Sequence, residues 1–392
     1  MNPGLRVLHL ITAMEGGGAE TFLSRLALAQ RADVEPLVAS LLPPGPVGRE
    51  LAACGVRVEH LGLSRGRPSP AAGARGLSRL RALVRSFSPH VVQTWLYHAD
   101  LLGLSALRLP PAPLRPRPAL AWNVRCAYMD FSRYPALTRY TVRACALLSR
   151  LPDAVVTNAH AARDHHLALG YRPRRFEVLP NGFDTDAFRP DAEARARVRA
   201  ELGLDGSTPL VGAAGRWDAM KDWPALAAAA RAVLAEHPRA RFLLCGTGMD
   251  VANPDLAALL EAQGIRGACL LLGRRDDMPR VLAALDVFAQ SSLGEGLPNA
   301  LGEALCCGVP AAATDAGDSA LLVGGGRERA GIVTPVGDAE ALARAVAELL
   351  ALDPQGRAAL GAAGRERMQQ SYGLDAAGAR YTALYRELAA RP

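Results

Sequence analysis

The sequence predicts an α/β protein of two doubly wound, Rossmann-like domains, and three observations carry that prediction. Short β-rich runs alternate with helical patterns from end to end, which implies mostly parallel sheets covered on both faces. The alternation breaks at the turn signal Pro180-Asn181-Gly182 and restarts after a polar link over residues 183–191. The 392 residues, 50% of them hydrophobic, are too many for one core and suit two domains of roughly 150 to 200 residues.

Taken in order, the first set of strands is expected over 5–11, 35–41, 57–63, 91–96, 120–125, 154–158 and 176–180, each an apolar run bounded by turn residues. Helical spacing fills the intervals. It is clearest over 21–30, behind the run Gly16-Gly17-Gly18, and over 74–87, where Leu77, Leu80, Val84 and Phe87 recur among arginines. The second set of strands is expected over 210–215, 242–245, 269–272, 287–290, 311–314 and 331–334. The domains are therefore drawn at 1–182 and 183–372, with 373–392 as a terminal helix. Ligands on such sheets bind beyond the carboxyl ends of the strands, so the site is expected in a cleft that the two domains face across.

Charge is unevenly divided. The net charge of +7 is the difference between +12 in residues 1–180 and −5 in the remainder. The excess gathers in Arg65, Arg67, Arg75, Arg79, Arg81 and Arg85, and again in Arg108, Arg115, Arg117, Arg125, Arg133, Arg139, Arg143 and Arg150. The helix over 74–87 thus reads as basic and amphipathic, able to lie against an anionic membrane surface. Nucleic acid is not an expected partner, since no aromatic-interleaved basic motif occurs. Seven cysteines contain no CxxC pair, which fits a reducing cytoplasm better than a disulfide framework or a zinc site. Residues 1–10 are too short and polar for a signal peptide, and no apolar stretch reaches ~18 residues. A cytoplasmic protein, peripheral at the inner face of the cytoplasmic membrane, is the expectation.

Of the 45 Lys+Arg positions only Lys221 is lysine. It follows Arg216 in a loop after the strand over 210–215, beside the helix start Asp222-Trp223-Pro224. An ammonium is a compact point charge that a planar guanidinium does not imitate in a tight pocket. Arg216, Lys221 and the positive end of that helix together suit a diphosphate. The glycine run Gly16–Gly18 offers backbone N–H groups to an anion at a second helix start. Neither it nor Gly246-Thr247-Gly248 completes G-x-G-x-x-G, which argues against a nicotinamide dinucleotide. The segment from Ser291 to Leu305 places Glu295 in a glycine-flanked loop and Glu303 in the helix that begins near Pro298 and Asn299. A carboxylate at Glu303 can accept both hydroxyls of a ribose. Asp276-Asp277 is contiguous rather than D-x-D, and reads as a loop and helix cap rather than metal ligands. No metal or cofactor is expected.

In order and interval these segments resemble the group 1, family 4 glycosyltransferases, retaining enzymes with a GT-B fold. The resemblance takes in Gly16–Gly18, the stretch Trp95-Leu96-Tyr97-His98-Ala99-Asp100-Leu101-Leu102-Gly103, Val178-Leu179-Pro180-Asn181-Gly182, Gly215-Arg216 with Lys221, Gly273-Arg274-Arg275-Asp276-Asp277 and the Glu295/Glu303 pair. It implies that Arg216 and Lys221 bind the donor diphosphate, that Glu303 binds the ribose and that Glu295 holds the transferred sugar. Backbone amides of the loop and helix start, at Gly296, Leu297, Asn299, Ala300 and Leu301, would assist with phosphates, and Arg275 would meet the nucleobase. Gly17 and Gly18 would approach the phosphates or the acceptor, and His98 the donor sugar. Asn123 and Arg125 fall on the acceptor side. The terminal helix is expected to cross back onto the first domain.

The sequence departs from the family's pattern at Leu297, where an aromatic is common, and at Cys126, where relatives often carry histidine. The implied activity is transfer of a sugar from a UDP- or GDP-sugar to a hydroxyl acceptor, with a lipid-linked glycan in bacterial cell-surface polysaccharide or lipopolysaccharide synthesis as the expected acceptor. A nucleotide-sugar epimerase on the same fold is the alternative.

Overall fold

The computed structural model describes residues 4–64, 69–108, 117–128, 131 and 135–390. Arg65, Arg67, Arg115 and Arg133 of the basic set lie outside these residues. The chain divides into two units, Met1–Gly182 with Leu374–Pro392 and Phe183–Gly373.

In the first unit β1 (Leu5–Ile11), β2 (Val34–Ser40), β3 (Arg57–His60), β4 (Val91–Trp95), β5 (Ala119–Val124), β6 (Ala154–Thr157) and β7 (Phe176–Val178) form one sheet in the order β3-β2-β1-β4-β5-β6-β7. In the second, β8 (Leu210–Ala214), β9 (Arg241–Cys245), β10 (Cys269–Gly273), β11 (Val287–Gln290), β12 (Ala311–Thr314) and β13 (Gly331–Thr334) pair as β10-β9-β8-β11-β12-β13. The pairings are parallel. Their central strands are buried on both faces and mostly apolar because helices cover both: β4, β11 and β12 are buried at every residue. β3 ends three residues before the expected 63 because Gly62 turns to φ 73°, out of the extended region.

Each sheet reverses its winding once, between β1 and β4 in the first unit and between β8 and β11 in the second. Crevices that bind ligands open at such reversals, beyond the carboxyl ends of the strands. The segments that follow β1, β4, β8 and β11 carry the glycine run, His98, Arg216 with Lys221, and Glu295 respectively.

One helix starts away from its expected position, and the last helix returns to the first unit as expected. The basic helix runs Pro70–Phe87, starting earlier than 74 because Ser69 caps it and Pro70 occupies its first position. Its apolar stripe is used by the sheet: Leu80 and Val84 are buried, and Leu77 and Phe87 pack against the same core. Arg79 donates to the Leu61 carbonyl, and Arg81 to those of Ser105 and Ala106. The stripe that the sequence offered to a membrane is thus largely engaged by the core of the first unit. The last helix, Leu374–Ala389, belongs to the first unit, where Gln30 Nε2 donates to Gly378 O and Thr382 Oγ1, and Tyr385 donates to Gln93. Among the described residues no helix is long and apolar enough to cross a membrane.

Candidate active site

In the second unit, close backbone packing brings the β8 loop against its neighbours. A Cβ on Gly246 would stand 2.0 Å from Gly215 O, and one on Gly215 would crowd the Lys221 stem at 3.2 Å. The 3-10 turn Ala219–Lys221 is capped by Asp218, which accepts from Met220 N at 2.9 Å. Asp222 then takes a left-handed conformation, φ 48°, and its carboxylate caps the helix Trp223–Glu236, as the sequence predicts. Asp tolerates that conformation better than most non-glycine residues. The sharp turn aims Lys221 at the next loop.

There Lys221 Nζ meets Glu295 Oε1 at 2.5 Å, with side chains 25% and 13% exposed. Ser292 Oγ donates to the same carboxylate oxygen at 2.7 Å, and Ser291 Oγ to the Lys221 carbonyl at 2.7 Å. Leu293 N closes on Met220 O at 2.9 Å. The two loops are thus one hydrogen-bonded unit. The loop beyond β12 supports it from the other side: Thr314 Oγ1 donates to Ser292 O, and Asp318 N to Gly296 O. Gly317, at φ +61°, lies so close that a Cβ would stand 2.3 Å from Glu295 O.

Arg216 is not joined to Lys221. Its side chain is 74% exposed, its guanidinium 3.5 Å from Asp218 Oδ2, so it stands open to a ligand while Lys221 is held by Glu295. Gly296 and Ala300 are half-buried, Asn299 is exposed, and Leu297 and Leu301 are buried. Leu297, where the sequence departs from the family's pattern, therefore packs into the protein. Glu303 is half-buried in the second turn of the helix Asn299–Cys306.

Arg275 leaves β10 and forms a two-pronged pair with Asp277, Nε to Oδ1 and Nη2 to Oδ2, both 2.7 Å. Asp277 stands at the cap position of the helix Met278–Ala283, but its side chain does not cap it. That corrects the reading of Asp276-Asp277: Asp277 holds Arg275 and Arg280, and Asp276 lies 3.6 Å from Arg274. The Arg275 guanidinium keeps the Asp277 carboxyl below its usual range.

In the first unit, Gly17 is the cap residue of the helix Gly18–Ala29. The Glu20 carboxylate accepts from Gly16 N and Gly17 N at 2.5 and 2.8 Å, so those two amides face a side chain of their own helix. This differs from the expectation that they stand open to an anion.

His98 lies in the first turn of the helix Tyr97–Arg108, half-buried, after Leu96 at φ 71°. A left-handed leucine costs roughly 1–2 kcal/mol, and the surroundings hold it: Leu96 N donates to Asn123 O, and the buried Asp100 accepts from Thr94. Burial pulls the His98 imidazole below its ordinary value and favours its neutral form.

Asn123 and Arg125 come together. Arg125 reaches the oxygens of Asn123 and Asn181, and its guanidinium lies 4.8 Å from the Phe22 ring centre and 5.4 Å from that of Trp95. Asn123 Nδ2 donates to Tyr381 OH, which stacks its ring on Trp95. Phe22, Tyr381, Ser291, Ser292, Thr314 and Gly317 were not singled out by sequence, although the Gly317-Asp318 turn after a strand was a signal available to find the last.

Residues 16–187 match the family model described as Glycosyltransferase Family 4, and residues 208–352 the one described as Glycosyl transferases group 1. The chain belongs to the group 1, family 4 glycosyltransferases, and its two sheets form the GT-B fold.

Among proteins of known name it is 32% identical, over 55% of its length and 57% of the relative's, to the GDP-mannose-dependent monoacylated alpha-(1-6)-phosphatidylinositol monomannoside mannosyltransferase of Corynebacterium glutamicum. The match thus spans little more than half of that relative. It is 27% identical to the lipopolysaccharide core biosynthesis mannosyltransferase LpsB of Rhizobium meliloti, over 64% of this chain and 70% of LpsB. HepE of Anabaena, solved in complex with UDP, superposes with a TM-score of 0.81 at 22% identity, over 97% of this chain and 100% of HepE.

Proposed function

We propose that this protein is a retaining glycosyltransferase that moves a sugar from a nucleoside diphosphate sugar to a hydroxyl of a glycan or lipid-linked glycan. The observation that carries the reading is the Lys221–Glu295 pair at the sheet reversal of the second unit, braced by Ser292 and flanked by an open Arg216. The names of the similar proteins support it, since they include transferases of mannose to lipid and lipopolysaccharide acceptors and a structure holding UDP.

The second unit binds the donor. Arg216 and Lys221 take the diphosphate, Glu303 the ribose, Arg275 the base and Glu295 the sugar. The helix start at Asn299–Leu301 adds its amides to the phosphates. Asn123 is fully buried and engaged with Arg125 and Tyr381, which corrects its expected contact with the acceptor: it positions Arg125, the acceptor-side group of the first unit. The same unit also carries His98. As the bond from the anomeric carbon to the phosphate oxygen breaks, charge grows on the diphosphate, and fixed cations stabilise it more than the ground state. The acceptor oxygen bonds to the same face of that carbon, and its proton passes to a phosphate oxygen of the leaving group. In this reading the cations stand in for a metal. The reaction belongs to cell-surface polysaccharide or lipopolysaccharide assembly, at the cytoplasmic face of a membrane.

The test incubates the full chain with UDP-, GDP- and ADP-sugars, with and without a glycan acceptor and with a chelator, and assigns the product anomer by NMR. Acceptor-dependent transfer with retention, undiminished by chelation, is expected. An isomerised sugar nucleotide formed without acceptor would replace this reading with the epimerase.

A further inference from the structure

The segments beyond the carboxyl ends of the first sheet carry His98 and Arg125, and a second concentration of charge gathers at the amino ends. Arg6 near the start of β1, His90 before β4, Arg117 before β5, Asp153 before β6 and Arg174 before β7, with Arg108 from the helix Tyr97–Arg108, line one cavity of about 590 Å³. The six residues of β5 set it roughly 20 Å from Arg125.

Four guanidinium groups meet one carboxylate there. Arg108 pairs with Asp153 Oδ2 at 2.6 Å, and the same oxygen accepts from Leu120 N at 2.7 Å. The Arg108 side chain is only 7% exposed, and its Nε has no partner among the described residues. Arg6 donates from Nε to the Ser88 carbonyl, a neutral acceptor, at 2.9 Å. Arg117 and Arg174 are exposed and form no ion pair among the described residues. His90 Nδ1 accepts from Arg6 N at 3.0 Å. Burial, and then the Arg6 charge, hold that imidazole below its ordinary value, so the neutral ring keeps its proton on Nε2 and offers one more donor.

Like charges lining a concave surface focus a field that draws in an anion, and the volume falls in the range of small-molecule sites. The four guanidinium charges exceed the one carboxylate by three. A monophosphate ester brings about −1.5 to −2 at pH 7, and a second phosphoryl group adds another ionised oxygen. The balance therefore favours a diphosphate, whose oxygens suit guanidinium forks in pairs.

We propose that this cavity is a second anion site, which takes the diphosphate group of a small soluble molecule at the edge of the first sheet opposite to Arg125. It stands whether or not the protein transfers sugars.

The experiment is calorimetry with inorganic pyrophosphate on the full chain, with an Arg216→Ala/Lys221→Ala variant removing the diphosphate binding proposed for the second unit. That variant is expected to bind pyrophosphate still, and more tightly than phosphate or sulfate at equal ionic strength. Arg117→Gln and Arg174→Gln, both at exposed positions, each weaken the binding by about tenfold, whereas Arg75→Gln, exposed on the Pro70–Phe87 helix, leaves it unchanged. In the unaltered chain pyrophosphate slows amide exchange at His90 and Ala119, which reads the site directly even where the double variant fails to fold. Unchanged exchange at these two amides overturns the proposal. So does affinity that Arg117→Gln and Arg174→Gln leave intact, or sulfate binding as tight as that of pyrophosphate, which would make the cavity a general counterion surface.

Discussion

Lys221 and Glu295, 74 residues apart, meet with Nζ and Oε1 2.5 Å from each other, which joins the loops after the two central strands of the second sheet. The pair is a pre-set charge arrangement: the ammonium of the only lysine is held in place before a diphosphate arrives, and the carboxylate is turned by Ser292. Lys221→Ala should lower kcat on the order of 10²–10³, as removal of one donor to a developing oxyanion does. Lys221→Arg should not restore it, because the fork is too broad for the space that Gly215 leaves beside the stem. Steady-state kinetics on the two variants check this, and an arginine variant at wild-type rate would refute the role given to the lysine.

Glu303 stands in the second turn of the helix Asn299–Cys306, and its proposed task is to accept from the ribose hydroxyls. Hydrogen bonds to a charged group contribute about 1.5–3 kcal/mol. Glu303→Gln should therefore raise the donor Kd by about ten- to a hundredfold, read by calorimetry with the nucleoside diphosphate. The 2′-deoxy nucleotide should bind the variant and the wild type with a smaller difference.

Gly317 is the position where a single methyl group would disturb the site without touching a ligand. It is left-handed at φ +61°, and a Cβ there would stand 2.3 Å from Glu295 O and 2.5 Å from Gly296 O. Gly317→Ala should destabilise the fold by more than about 1 kcal/mol and lower kcat by shifting the Glu295 loop. Thermal unfolding and kinetics on the same sample measure both effects, and wild-type values in both would mean the loop has more freedom than its packing indicates.

The central strands were legible because they are largely apolar runs closed by turn residues, a pattern that survives whatever packs on them, whereas the edge strand β3 (Arg57–His60) has only one apolar residue. The Asp222 cap and the Glu295–Glu303 spacing were legible for the same local reason. What lay beyond the sequence depended on contacts between distant segments. Whether Leu80 and Val84 face a sheet or solvent is decided by the sheet, so the basic helix does not take the part its pattern suggests. Asp277 looked like a cap from its position, yet two arginines within three residues offered its carboxylate stronger partners. The placing of Tyr381 beside Asn123 and Trp95 required the last helix to return to the first unit, which no local signal specifies.

Two buried histidines of the first unit give folding a pH dependence with a defined sign. Burial lowers His9 to about 3 and His166 to about 4. His166 stays neutral while Nδ1 sits 2.7 Å from Ala162 O and Nε2 3.0 Å from Tyr97 OH. Nδ1 carries the proton toward the carbonyl, and Tyr97 OH donates to Nε2. In the unfolded chain both histidines take up a proton near the ordinary 6.5. Their stabilising contribution is complete above that value and is lost as pH falls from 6.5 toward about 4 for His166 and about 3 for His9, because the unfolded state binds protons that the folded state refuses. The loss is about 1.4 kcal/mol per pH unit for each. Asp100 works against it: burial raises its carboxyl well above the ordinary value, so its contribution is complete below the usual carboxylate range and declines as pH rises. Comparing His166→Gln with the wild type subtracts that opposing trend. Urea unfolding between pH 6 and 4.5 should show the variant less stable at the upper end and its stability falling more gently toward the lower, by about 1.4 kcal/mol per unit. Parallel stability profiles for the two proteins would mean that His166 takes up its proton in the folded state as readily as in the unfolded one.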